Sequence, residues 1–103
     1  MNTFEKVYEI VKTIPKGKVT TYGAIASSIG IKNSRIVGYA LHVNPEPFVI
    51  PCHRVVTKNG ELSKAFAFGG VDVQAKLLQE ENVVVVNGMV DVDTYFYLPK
   101  ELK

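Results

Sequence analysis

The chain has 103 residues and a mass of 11.4 kDa, with 47% hydrophobic and 21% charged residues, a globular composition that excludes a fibrous or disordered chain and bounds it to one domain, residues 1–103. No apolar run approaches the ~20 residues of a membrane span, no signal-peptide stretch opens the chain, and one cysteine with two histidines excludes a disulfide framework and argues against a structural metal site. The net charge of +2 conceals a split: residues 1–60 hold eight Lys/Arg against three acids and residues 61–103 four Lys against seven, which points the first half towards a polyanion.

Phe4, Val7, Tyr8, Val11 and Ile14 recur at helical spacing, and Asn2 with Glu5 fits a capping box. Pro15-Lys16-Gly17-Lys18 ends that helix in a basic turn. Val19-Thr20-Thr21 is β-branched and reads as a short strand, after which Thr21 caps a second helix from about Tyr22 to Ile29 that Gly30 terminates. Ser34 is expected to cap a third helix from Arg35 to about Val43. Two short helices joined by a tight turn behind a leading helix outline a helix-turn-helix.

The third helix carries two faces. Ile36, Val37, Ala40 and Leu41 form an apolar stripe, while Arg35, Tyr39 and His42 share another face that is either solvated or lies against a nucleic-acid groove. Gly38 weakens a helix interior by up to ~1 kcal/mol, so a close approach is expected there. Asn44-Pro45 ends the helix. The apolar run Phe48-Val49-Ile50 leads to Pro51-Cys52-His53-Arg54-Val55-Val56, Lys58-Asn59-Gly60-Glu61 is a turn, and residues 61–70 read as a loop. A fourth helix spans Val71 to Glu81, with Val71, Ala75 and Leu78 inward. Val83–Val86 and Met89–Val92 flank Asn87-Gly88 as a β-hairpin with a primed turn, and Tyr95, Phe96 and Tyr97 are expected to pack the tail onto the body.

A single cysteine is most often a small buried hydrophobe. At Cys52 three neighbours favour a reactive reading: His53 and Arg54 supply positive charge that stabilises thiolate, and Pro51 fixes the approach. A Cys-His pair permits acyl transfer, alkyl transfer or redox work, and the pattern does not choose among them.

The strings Pro51-Cys52-His53-Arg54-Val55 and Asn44-Pro45-Glu46-Pro47-Phe48-Val49-Ile50 resemble the active-site segment of the alkylguanine-DNA alkyltransferases, the methylated-DNA–protein-cysteine methyltransferases. The resemblance extends through residues 15–22 and Ser34-Arg35-Ile36-Val37-Gly38, then through Asn59-Gly60, Gly69-Gly70 and Leu77-Leu78 to Glu81. It implies a mainly α fold with short β elements, a winged helix-turn-helix-like DNA-binding and active-site domain ending in a β-hairpin. It makes Cys52 the acceptor of an alkyl group from 6-O-alkylguanine, His53 the base that deprotonates it through a water, and Glu81 the carboxylate that orients His53. Asn44 matches the hinge before the active-site loop, and Tyr22 the residue that helps rotate the nucleotide and protonates the departing guanine. Arg35 matches the arginine that fills the vacated stack. DNA contacts are expected from Arg35, Tyr22, Thr21, Ser34, Gly38 and Arg54 in the minor groove. As plain structural roles, Tyr22 is a packing residue, Glu81 a solvated charge and Asn44 a helix terminator.

The partner that the resemblance implies is double-stranded DNA containing alkylated guanine, with a monomer as the default state; no metal and no cofactor are expected, and the composition and N-terminus point to a cytoplasmic location, or nuclear in a cell with a nucleus. Two features depart from the longer members. The chain begins directly at the DNA-binding domain, as in the alkyltransferase-like proteins, which flag damage for other repair proteins and typically carry tryptophan where this chain has Cys52. The loop from Glu61 to Gly70 is longer, with phenylalanine in place of tyrosine. Two functions of different class are expected: irreversible, single-turnover methyl or alkyl transfer to Cys52, or non-catalytic recognition of alkylated guanine.

Overall fold

The computed structural model describes residues 1–47, 49–63 and 68–102. Asn2 opens α1 (Thr3–Lys12) with the expected capping box: its Oδ1 accepts from the Glu5 amide at 2.8 Å, and Glu5 Oε1 accepts from the Asn2 amide at 3.2 Å. After the basic turn come β1 (Thr20–Thr21), α2 (Tyr22–Ser28) and α3 (Arg35–His42), so the helix-turn-helix is present. Thr21 Oγ1 caps α2 through the Ala24 amide at 3.1 Å. Ser34 does not cap α3. Its backbone is already helical and its side chain makes no cap bond, while Asn33 Oδ1 accepts from the Arg35 amide at 3.0 Å. Asn and Ser serve equally well as caps, and the backbone geometry decides between adjacent candidates.

The rest of the chain comprises β2 (Val55–Val56), α4 (Gly70–Glu80), β3 (Val85–Val86), β4 (Met89–Val90) and α5 (Val92–Tyr95). β1 and β2 pair in parallel, Thr20 with Val55 and Thr21 with Val56. β3 and β4 are antiparallel about Asn87 and Gly88, whose φ of 52° and 72° give the expected primed turn. The hairpin is shorter than the expected Val83–Val86 and Met89–Val92. Asp91 turns the chain into α5, accepting from Thr94 Oγ1 at 2.8 Å, where strand had been expected to Val92. Within the predicted 61–70 loop, residues 64–67 lie outside the described residues, as does Phe48 of the apolar run.

Two apolar clusters form the core. The first joins Val7, Ile10, Val11 and Ile14 with Ile25, Ala26, Val37, Ala40 and Leu41, so most of the stripes expected on the first and third helices are buried, while Phe4 is exposed and Ile36 lies outside the cluster. Tyr8 adds a hydrogen bond from its hydroxyl to the Ala40 carbonyl at 2.8 Å. The second joins Val19, Val56, Leu62, Leu78, Val83 and Val90. β2 lies between them. Successive strand side chains point to opposite faces, and Val55 enters the first cluster while Val56 enters the second. The tail closes over β1, with Val19 N donating to Tyr95 O at 2.9 Å and Tyr97 N to Val19 O at 2.8 Å. In α4 the fully buried positions are Gln74 and Leu78, while Val71 and Ala75 are only half-buried, so a polar side chain occupies an inward position not expected from the apolar pattern.

Gly60 shows where the hairpin meets the body. Its φ is +88°, and a Cβ there would collide with the Val90 carbonyl oxygen while Gly60 O accepts from Val90 N at 2.8 Å. Gly60→Ala combines a left-handed backbone with overpacking and is expected to lower stability by about 2–4 kcal/mol, read as a fall in the urea midpoint.

Candidate active site

Cys52, His53 and Arg54 form a single 3-10 turn, and this short geometry sends three adjacent side chains to different partners. Cys52 is buried in the first core cluster. Asn44, where α3 ends, holds the loop that leads to it: Nδ2 donates to the Ile50 carbonyl at 2.8 Å and Oδ1 accepts from the Glu46 amide at 2.8 Å. Its side chain also hydrogen-bonds the Cys52 thiol. Asn44 is thus more than a helix terminator. Tyr22, the first residue of α2, is hydrogen-bonded to Ser63, and its phenol lies close enough to Cys52 to feel charge on the sulfur.

Glu81, the residue that closes α4, collects the other two side chains of the turn. His53 Nε2 lies 3.0 Å from Glu81 Oε2. Arg54 forks onto the same carboxylate, Nε to Oε1 at 2.9 Å and a terminal nitrogen to Oε2 at 2.7 Å, and its other terminal nitrogen donates to the Ile14 carbonyl at 2.8 Å. The Glu81 side chain is 9% exposed and that of Arg54 is 15% exposed. Arg54, expected to face DNA, instead commits its guanidinium to the interior. Glu81 is likewise no solvated end charge. A groove of about 490 Å³, lined by Lys12, Pro51, Val73 and Leu77 among others, opens onto His53 and Arg54.

Gln74 supports this arrangement from α4. Its Oε1 accepts from the Ser63 amide at 2.9 Å, and its Nε2 donates to the carbonyls of His53 and Val55, both at 3.1 Å. It ties the turn, β2 and the segment carrying Ser63 together. Neither Gln74 nor Ser63 was singled out by sequence reasoning. The available signal for Gln74 was its place at 71, 74, 78 on the inward face of α4.

Burial sets the proton affinities. It pushes the Cys52 thiol above its ordinary value, against hydrogen bonding from Asn44 and the backbone. It pushes His53 below 6.5, and this outweighs the upward pull of the Glu81 hydrogen bond and charge, with Arg54 adding to the downward push. At Glu81 burial acts upward, but hydrogen bonds and charge from Arg54 and His53 prevail and hold the carboxyl below 4.5. The resting state is therefore a thiol, a neutral imidazole and a carboxylate. Burial also raises Tyr22, opposed by its hydrogen bond with Ser63.

On the helix-turn-helix, Arg35 is exposed in the first turn of α3, and Tyr39 on the same helix is 69% exposed. Ser34 is half-buried, and the Thr21 hydroxyl is committed to its cap. A Cβ built on Gly38 or on Gly23 of α2 would meet nothing within 4 Å. No neighbour among the described residues requires either glycine, although each weakens its helix by up to ~1 kcal/mol.

A three-helix body with a helix-turn-helix, carrying a buried thiol beside a His-carboxylate pair, defines a DNA-binding domain with a candidate nucleophile. Residues 2–83 match the model of the 6-O-methylguanine DNA methyltransferase DNA-binding domain, and the chain belongs to that family. It is 43% identical over 84 residues to alkyltransferase-like protein 1 of Schizosaccharomyces pombe, covering 80% of this chain and 77% of that protein. It is 42% identical over 83 residues to the methylated-DNA–protein-cysteine methyltransferase of Methanocaldococcus jannaschii, covering 81% of this chain but 47% of that protein, so it spans about half the length of such a relative. The crystal structure of S. pombe Atl1 in complex with damaged DNA containing O6-carboxymethylguanine superposes with a TM-score of 0.83 at 35% identity, covering 96% of this chain and 100% of that one.

The shifts give stability a pH dependence. His53 binds a proton less readily folded than unfolded, so its contribution is present above about 6.5 and is lost as pH falls through the lower folded value. Glu81 behaves in the same direction, its contribution present above 4.5 and lost as pH falls below. Urea unfolding from pH 8 to about pH 2.5 is expected to show stability declining in two stages, and His53→Gln is expected to flatten the upper one. A wild-type profile that rises as pH falls below 6.5 would contradict a neutral His53.

Proposed function

We propose that this protein repairs alkylated DNA by a single-use alkyl transfer from 6-O-alkylguanine to Cys52. The observation that carries the proposal is the buried thiol held by Asn44 in the same turn as His53, itself bound to Glu81. In the reaction the Cys52 proton passes through a bridging water to His53, and the Glu81 carboxylate stabilises the imidazolium that forms. The sulfur attacks the alkyl carbon as its bond to the guanine oxygen breaks, and that electron pair leaves on guanine, which Tyr22 protonates. The product is a thioether, which no group in the site can reverse, so each molecule acts once.

Burial helps here. A high thiol pKa leaves the resting cysteine protonated and inert, yet makes the thiolate more nucleophilic once it forms. The alkyl carbon is out of reach inside a duplex, and the nucleotide must be flipped at a cost of a few kcal/mol. Arg35, exposed at the start of α3, fills the vacancy, and the open space at Gly38 lets the helix lie close to the minor-groove walls. The partner is double-stranded DNA carrying alkylated guanine.

A second reading, damage recognition without transfer, is supported by the near-complete overlap with S. pombe Atl1. The two part on the mass of the protein after incubation with an oligonucleotide containing 6-O-methylguanine. A methyl replacing a hydrogen on Cys52 is expected, with no such adduct on Cys52→Ala, which keeps its DNA affinity within about twofold. Tight binding without added mass would establish recognition alone. Arg35→Ala is expected to weaken binding to damaged duplex by about tenfold, or ~1.4 kcal/mol, and binding to damaged single strand much less. Equal losses on both would rule out the stack-filling role.

A further inference from the structure

We propose that Arg54 is a positioning residue of the transfer site: by engaging both oxygens of Glu81 it balances that carboxylate, so that His53 is oriented by Glu81 and yet remains a neutral base. The inference rests on the transfer reading and extends it to a side chain whose neighbours in sequence touch the reaction but which itself does not.

The geometry of the carboxylate makes the case. Glu81 Oε1 accepts from Arg54 Nε, while Oε2 is shared between Arg54 and His53 at 2.7 and 3.0 Å. A fork onto both oxygens fixes the plane of the carboxylate, which a single donor does not. The remaining terminal nitrogen is fixed at 2.8 Å to the Ile14 carbonyl, just beyond the end of α1. Arg54 is therefore held at both ends, and Glu81 can point its second oxygen at only one place.

Charge follows from position. A bare carboxylate 3.0 Å from an imidazole favours the protonated ring, and a protonated ring is no base. The guanidinium shares that carboxylate, so the pull on His53 is weakened at its source. Among the described residues, Cys52 lies beside the ring in the turn, Tyr22 of α2 lies near that thiol, and Lys12 of α1 lines the groove that opens onto His53. Lys12 is partly exposed and pairs with Glu9 at 3.4 Å, so it does not substitute for Arg54 on Glu81. A lysine at position 54 would bring charge but reach one oxygen at a time.

The test reads His53 directly. The protein has two histidines, so their ring signals are separated by His42→Gln, and each is titrated by NMR in wild type, Arg54→Lys and Arg54→Gln. His53 is expected to titrate about one unit higher in Arg54→Gln and about half a unit higher in Arg54→Lys. Transfer from free 6-O-benzylguanine, followed across pH, is expected to show its acid limb displaced by the same amounts, so that the loss in Arg54→Gln is about tenfold greater on that limb than on the high-pH plateau. An unchanged His53 titration in whichever variant folds overturns the proposal, as does a rate lowered equally at every pH. If no transfer occurs even in wild type, the transfer reading fails, and the His53 titration still decides whether Arg54 sets its protonation.

Discussion

One carboxylate organises this molecule. Glu81 sits where α4 ends and gathers Arg54 and His53 from the 3-10 turn, while Arg54 continues to the carbonyl of Ile14 after α1. Segments that lie 40 and 27 residues from Arg54 along the chain are joined by one guanidinium. The net stabilisation of such a pair is modest, because both ions leave water. Breaking it by removing one partner costs about 3–5 kcal/mol, a large share of the roughly 5–15 kcal/mol that holds a small domain folded. The pair therefore enforces one arrangement of the turn.

The position of that turn follows from the core. β2 separates the two apolar clusters, with Val55 facing one and Val56 the other, so the turn just before it lies where the clusters meet. Cys52 continues the first cluster, and the two cationic or titratable side chains that follow cannot enter either. They turn to Glu81, which accepts from both side chains, while Gln74 donates to the backbone carbonyl of His53. The burial that raises the thiol and lowers the imidazole is thus a consequence of where two hydrophobic surfaces meet.

Much of this was legible from local pattern. The 3.6-residue spacing located α1 and α3, Asn2 and Thr21 marked two helix starts, and Asn87-Gly88 announced the primed turn. These signals are short-range, and so are the interactions behind them. The resemblance to a family supplied what spacing lacked, and the geometry brings Cys52, His53, Glu81, Asn44 and Tyr22 into one neighbourhood. Arg54 was read as a cation facing DNA because its sequence neighbours carry charge but no sign of its partner, which lies 27 residues on. Gln74 was not singled out, although its spacing puts it on the inward face, because an amide carries no hydrophobic signal and its partners His53, Val55 and Ser63 belong to other segments. The parallel pairing of β1 with β2 spans 35 residues and leaves no local trace.

The same junction explains how so small a domain can host alkyl transfer as proposed here. The reaction needs one nucleophile, one proton acceptor and no regeneration, so the site has no need to admit water to hydrolyse an intermediate. A thiol buried in the core is protected while idle, and His53 with Glu81 offers a polar route beside it for its proton. Were Arg54 on the surface, Glu81 would sit nearly dry beside the imidazole with no cation to share it, and its upward pull on the ring would be opposed by burial alone. An interior arginine is the arrangement in which a carboxylate can orient the base without also protonating it, and it removes that residue from the DNA face. In that proposal contact with the duplex is left to α2 and α3, where Arg35 and Tyr39 are exposed and a Cβ on either glycine would meet nothing among the described residues.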